Sequence, residues 1–305
     1  MGRLPHRPKD ALQTAAAWSA GCTIGYLVCS LAGSLIGQAL LLAWMNGPGA
    51  GASPLAEEWM VWCVNLGFSL VGLVLPILGG ILLGHLPLPQ LYLRPAGQHQ
   101  ILPALVVYLG GAQLAGLLAA AVGNATGSTQ QIPLPQHLSA AIPAFLVLCL
   151  VPAVLEEVLF RGVAQGFLRP YGRWLAIVGQ AVPFALLHGS ASAAVFALLA
   201  GLFFGWLAER TRSLLPGMVL HLTNNTLAFV QMLLLAHGGR QVALLLNGVC
   251  LILFPILAAV VLFWWLRQGG HRYHLERVSR VDRLFYCTPW VIAQAFLLLY
   301  CFVLA

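Results

Sequence analysis

The chain has 305 residues, 60% of them apolar and only 8% charged, with a mean hydropathy of +0.88. A soluble domain carries about 25% charged residues, so 15 basic and 8 acidic side chains cannot coat a 32.6 kDa globule in water. A disordered or collagen-like chain is excluded because Gly and Pro show no strict period, and a disulfide scaffold or zinc ribbon because the cysteines are scattered singly.

The apolar run from about residue 11 to residue 45 follows Arg3, Arg7 and Lys9 and is longer than a signal-peptide core, so it reads as a retained first span. A helix that crosses the bilayer core needs about 20 apolar residues. Further stretches of that kind lie near 59–84, 101–123, 140–161, 174–188, 192–208, 215–236, 241–266 and 284–305. The composition therefore predicts an all-α, polytopic transmembrane helical bundle of about eight or nine spans, forming one integral membrane domain over 1–305. Within it, 1–137 and 237–305 carry no chemical motif, and 138–236 carries all of them.

Lys and Arg concentrate on the cytoplasmic side of membrane proteins. With the N-terminus in the cytoplasm, Arg94, Arg169, Arg173, Arg210, Arg212 and Arg267 fall on that side and only Arg240 on the other. The polar run 267–283 reads as a basic cytoplasmic loop that fixes this orientation. Attraction to anionic lipid accounts for the net charge of +7 and the pI near 9.3. The expected partner is thus the lipid bilayer and not nucleic acid, and no glycine-rich phosphate loop is present. Cys22 and Cys29, seven apart, read as packed thiols.

A charged side chain at the bilayer centre costs about 2.5 to 3.5 kcal/mol on insertion scales, so the informative residues are those that apolar segments should exclude. Most acids and histidines sit at ends or in connections; Glu209, for example, closes one segment. The exceptions are Glu156, Glu157, Arg161, His188 and His221. Glu157 and Arg161 are i,i+4 neighbours in the favourable orientation for an ion pair. Glu156 points about 100 degrees away on an α-helix and lacks that partner. An unpaired buried carboxylate suits a general base, a proton relay or a salt bridge that joins helices. Phe184 and His188 share a helix face, as do His221 and Asn225. A lone histidine or amide of this kind is ordinarily a structural hydrogen-bonding group. Together, a carboxylate, two imidazoles and an amide are what peptide hydrolysis inside a membrane requires. Glu156 with His188 can hold and deprotonate a water, and His221 with Asn225 can donate to the oxyanion.

The order Glu156-Glu157-x-x-x-Arg161, Phe184-x-x-x-His188 and His221-x-x-x-Asn225 resembles the signature of the CPBP intramembrane proteases, which include the type II CAAX prenyl endopeptidases and bacteriocin-processing proteins. Every motif position is met, over roughly 138–236. The resemblance implies an all-helical fold around a polar intramembrane cavity and cleavage of a membrane-associated protein or peptide. It implies Glu156, His188, His221 and Asn225 as catalytic residues, supported by Glu157, Arg161 and Phe184. Members are often called metalloproteases, and Glu156, His188 and His221 would be the zinc ligands if zinc is bound; the favoured reading is direct glutamate catalysis without a cofactor. The expected location is a bacterial or archaeal inner membrane.

Two competing classes stay open: a non-catalytic partner-binding or immunity protein of the same fold, and a proton-coupled transporter. Depth is the difficulty for catalysis. A helix over 174–188 rises about 22 Å, short of the roughly 30 Å core, and straight spans would set His188 and His221 at different depths. The site therefore needs short or broken helices, with Gly162, Gly166, Gly179 and Pro183 as expected break points.

Overall fold

The computed structural model describes residues 9–128 and 134–267, together with 291, 292, 294, 295 and 299. Among these the chain is a bundle of eight helical stretches. We name them α1 (Lys9–Met45), α2 (Pro54–Leu83), α3 (Gln98–Thr126), α4 (Leu138–Tyr171), α5 (Arg173–Leu186), α6 (Ala191–Thr211), α7 (Leu215–Ala236) and α8 (Arg240–Arg267). Seven are long and apolar enough to cross a membrane, and α5 is the shorter apolar one. The polytopic helical bundle expected from composition is what is observed. The loop 267–283 beyond Arg267, and the span 284–305 apart from the five residues above, lie outside the described residues. Cys22 and Cys29 are both free.

Local chemistry sets several helix ends. Ser53 accepts a hydrogen bond from the Ala56 amide and Pro54 follows it, which starts α2. Ser190 caps α6 by accepting from the Ala193 amide at 3.2 Å. Large apolar side chains such as Leu35, Leu82, Leu245 and Ile252 are exposed, as expected where lipid is the solvent. The interior mixes small residues and rings with aliphatic side chains such as Leu73, Leu159, Leu168 and Leu220. Gly110 of α3 sits so close to α8 that a Cβ there would lie 2.4 Å from that of Ala258.

The depth difficulty is resolved by one short helix and one irregular helix. α5 has only 14 residues, about 21 Å, and the chain turns at 187–190 into α6, which has 21 residues, about 31 Å. α5 therefore stops inside the bundle. In α4 the backbone takes π-helical form over Leu146–Leu150 and again over Pro152–Ala164, a form often found at functional sites.

The expected break points are met in part. Gly162 lies inside the π-helical stretch and Gly166 just past its end, although the departure from α geometry starts upstream of both, while Gly179 and Pro183 lie within the regular α5. Gly162 and Gly166 are contact points: a Cβ would lie 3.3 Å from Leu214 at the first and 3.3 Å from Leu86 at the second.

Candidate active site

The π-helical stretch of α4 presents its two glutamates to different surroundings. Glu157 is buried, and its Oε1 accepts from Arg161 Nη1 at 3.0 Å, the pairing that the spacing predicts. The same oxygen lies 3.1 Å from Nδ1 of His221 on α7. A carboxylate only accepts, so Nδ1 carries a hydrogen and Nε2 faces the other way. Glu156 Oε2 lies 4.0 Å from that Nε2. The carboxylate without an arginine is thus the one turned toward the open space.

Arg161 is wholly buried. Its guanidinium lies 4.1 Å from the centre of the Phe184 ring and 5.4 Å from that of Phe204, while Nε and Nη2 meet no acceptor among the described residues. With the Phe160 ring centre at 5.9 Å as well, one carboxylate and three aromatic rings balance this cation. Phe184 also touches both imidazoles, with ring centres 4.8 Å from His188 and 6.4 Å from His221. Phe204 stacks on His221 at 5.6 Å. The aromatic residue of the second motif is the floor on which the charged groups rest.

His188 and Asn225 are both held by backbone carbonyls at irregular helix positions. At the end of α5 the His188 amide bonds to Ala185 O, and the ring Nδ1–H donates to Phe184 O at 2.8 Å. Nε2 of His188 is left as the free ring nitrogen. In α4, the carbonyl of Leu148 would in an α-helix be paired by the N–H of residue 152, but Pro152 has none. Asn225 Nδ2 donates to that carbonyl at 3.2 Å, while Asn224 Nδ2 donates to Asn225 Oδ1 at 3.4 Å. The amide is held at both ends and keeps one N–H for another acceptor.

Glu156, His188, His221 and Asn225 line a single cavity of about 920 Å³, and Phe184 lines it too. Glu157 and Arg161 lie behind its wall. Residues outside the motif region also contribute: Tyr26 of α1, Tyr108 and Gln113 of α3, and Asn247 and Cys250 of α8. Sequence spacing assigned no chemistry to those helices. A tyrosine or glutamine within an apolar span was the available signal, and in one dimension it does not say which wall it joins.

Arg169 and Glu209 were placed by sequence in connections or segment ends, yet they form a largely buried ion pair at 2.6 Å. Gln165 also donates to Glu209 Oε1 at 2.6 Å, and Tyr92 stacks under Arg169 with its ring centre at 3.7 Å. Desolvation, and after it the Glu209 carboxylate, push the Tyr92 phenol above its ordinary range. This layer ties α4 to α6 and lies away from the cavity.

Among the described residues, no group of three or more His, Cys, Asp and Glu side chains is gathered as metal ligands are. Glu156, His188 and His221 share the cavity, and each imidazole holds an oxygen acceptor at Nδ1 and leaves Nε2 to the cavity, as zinc-ligating histidines also do, although the three are not drawn together as such a group.

No curated protein and no solved structure matches the chain. Residues 138–227 match the family model described as type II CAAX prenyl endopeptidase Rce1-like. That stretch holds all three motifs, while Tyr26, Tyr108, Gln113, Asn247 and Cys250 of the cavity wall lie outside it. The resemblance that the motifs carry is therefore met at family level: over residues 138–227 the chain is similar to the CAAX-type proteases of the CPBP family.

Proposed function

We propose that the protein is an endopeptidase that cleaves a membrane-associated protein or peptide with a water activated by Glu156 and His188. The observation that carries this reading is the division of labour between the glutamates. Glu157 is bound to Arg161 and His221, while Glu156 faces a cavity shared with His188, His221 and Asn225.

In this mechanism a water donates one O–H to the Glu156 carboxylate and the other to Nε2 of His188. Glu156 takes the proton as the water oxygen attacks the scissile carbonyl carbon. The carbonyl oxygen becomes an oxyanion, which receives hydrogen bonds from the free N–H of Asn225 and from Nε2–H of His221. His221 is then an imidazolium, with Glu157 at 3.1 Å and Glu156 at 4.0 Å on either side. Glu156, Glu157, Arg161 and His221 together carry no net charge. Glu156 gains a proton as the oxyanion gains its charge, so the site and the reacting group stay neutral in sum through the attack. Glu156 finally passes its proton to the leaving nitrogen as the C–N bond breaks. No metal is required in any step.

The arginine distribution supports an N-terminus in the cytoplasm. The test of proteolysis is a comparison of new protein N-termini, by mass spectrometry, in cells that hold equal membrane levels of the wild type or Glu156→Gln. Termini produced only by the wild type are expected. A cellular phenotype retained by Glu156→Gln, with no difference in termini, would favour the non-catalytic partner-binding reading.

A further inference from the structure

The cavity is lopsided, and its long walls have one chemical character. Glu156 and His221 lie at its inner end. From there one wall follows α3 along Tyr108, Ala112, Gly116, Ala120 and Asn124, and another follows α7 along His221, Asn225, Ala228 and Met232. The α7 positions recur at four and three residues, as on one helix face, and the α3 positions recur every four residues, winding slowly around that helix. The α7 stripe rises about 16 Å, the length of about five residues of extended chain. Both stripes lead to the end of the bundle where α3 finishes at Thr126 and α7 at Ala236, and where α6 begins beside Ser192.

That end is poor in arginine. Arg94, Arg169, Arg173, Arg210, Arg212 and Arg267 all lie at the opposite end of the bundle, by the antiparallel succession of the helices. Of the described basic residues only Arg240 lies at the mouth end, with Glu57 and Glu58. By the positive-inside rule the cavity opens away from the cytoplasm.

The polar groups on its walls are neutral: Gln113, Asn124, Ser192, Asn224, Gln231 and Asn247. Neither Lys nor Arg lines it among the described residues, and Glu156 is its one carboxylate. Gln113, Gln231 and Asn247 make no hydrogen bond to another described residue. Amides left without partners at membrane depth are costly. A peptide backbone offers a series of donors and acceptors that such amides can satisfy. Away from His221 at the reaction centre, a free terminal carboxylate would find no cation on these walls among the described residues.

We propose that the cavity admits an extended peptide segment from the extracytoplasmic side, uncharged over about five residues beside the scissile bond, and that cleavage falls within a chain rather than next to a free C-terminus. This rests on the proteolytic reading above and names its substrate class. The acceptable substrates are exported or membrane-anchored chains with a neutral stretch close to the outer surface.

Two measurements test it. The first reads the side of the mouth without activity: Asn124→Cys and Gln231→Cys are exposed to a membrane-impermeant maleimide in right-side-out vesicles, against the wild type and Arg94→Cys. Labelling above the wild type at positions 124 and 231, with position 94 labelled only after permeabilisation, is expected. The reverse pattern overturns the proposal. The second uses reporters with a neutral ten-residue segment on either side of a single-span anchor, co-expressed with the wild type or Glu156→Gln. Glu156-dependent cleavage of the extracytoplasmic reporter is expected, reduced at least tenfold by one Lys or Asp within five residues of the cut. Cleavage of the cytoplasmic reporter alone, or cleavage indifferent to those charges, overturns the proposal. If neither reporter is cut while the maleimide pattern is as expected, the proteolytic reading fails and the outward-facing cavity stands.

Discussion

Glu157 and His221 are joined directly, with Oε1 of the first 3.1 Å from Nδ1 of the second, through the same oxygen that accepts from Arg161. The second glutamate of the motif is therefore both the counter-ion of a buried arginine and the group that turns the second imidazole. Replacing it should injure the fold and the chemistry together. Glu157→Gln leaves Arg161 without its carboxylate, and breaking a buried pair in this way costs about 3 to 5 kcal/mol. The expected outcome is a clear fall in thermal unfolding temperature in detergent and a loss of cleavage. Glu156→Gln should abolish cleavage with the unfolding temperature unchanged. Equal destabilisation by the two variants would mean that Glu156 is structural.

Gly217 marks how tightly that carboxylate is held. A Cβ at this position of α7 would lie 2.8 Å from Glu157 Oε2, closer than real Cβ contacts allow. Gly217→Ala must push the carboxylate or the helix, and His221 with it. A catalytic group displaced by about 1 Å can cost roughly a hundredfold in rate. Cleavage should fall by about that factor at normal membrane abundance. Gly248→Ala, where a Cβ meets nothing within 4 Å, should leave both rate and abundance as they are.

The spans and the motif pairs were legible because each depends on local periodicity. Apolar length revealed the helices, and i,i+4 spacing revealed the Glu157–Arg161 pair and the shared faces of Phe184 with His188 and of His221 with Asn225. The His221–Glu157 bond was not legible, since its partners are 64 residues apart on different helices. Nor was the contribution of Tyr26, Tyr108 and Asn247 to the cavity, which depends on how distant helices pack. The break in α4 was expected at Gly162 and Gly166; the irregular stretch contains the first and ends just before the second, and both glycines also serve close packing. The irregular backbone begins upstream and includes the position where Pro152 withholds an amide hydrogen from the Leu148 carbonyl.

That missing hydrogen gives a test of Asn225. Pro152→Ala supplies an N–H that can compete for Leu148 O, releasing the Asn225 amide that now donates to it at 3.2 Å. Removal of an oxyanion donor typically costs about a hundredfold to a thousandfold in kcat. Asn225→Ala should show that loss in kcat with KM little changed. Pro152→Ala should show a smaller loss of the same kind, with the unfolding temperature kept or raised. A loss confined to KM in both variants would place Asn225 in substrate binding instead.

The orientation of the imidazoles also bears on metal dependence. Nδ1 of His188 is committed to Phe184 O and Nδ1 of His221 to Glu157, so only the two Nε2 atoms and Glu156 could serve as ligands, and these are not gathered as a zinc set requires. Purified protein dialysed against 1,10-phenanthroline or EDTA should therefore cleave at an unchanged rate, and its zinc content by plasma mass spectrometry should fall well below one atom per chain. Loss of cleavage together with one zinc, and recovery of both when zinc is returned, would instead assign Glu156, His188 and His221 as ligands of a metal-bound water. The same preparation should also be assayed as Glu157→Gln. If His221 works as an imidazolium held by Glu157, this variant loses cleavage and added zinc does not restore it.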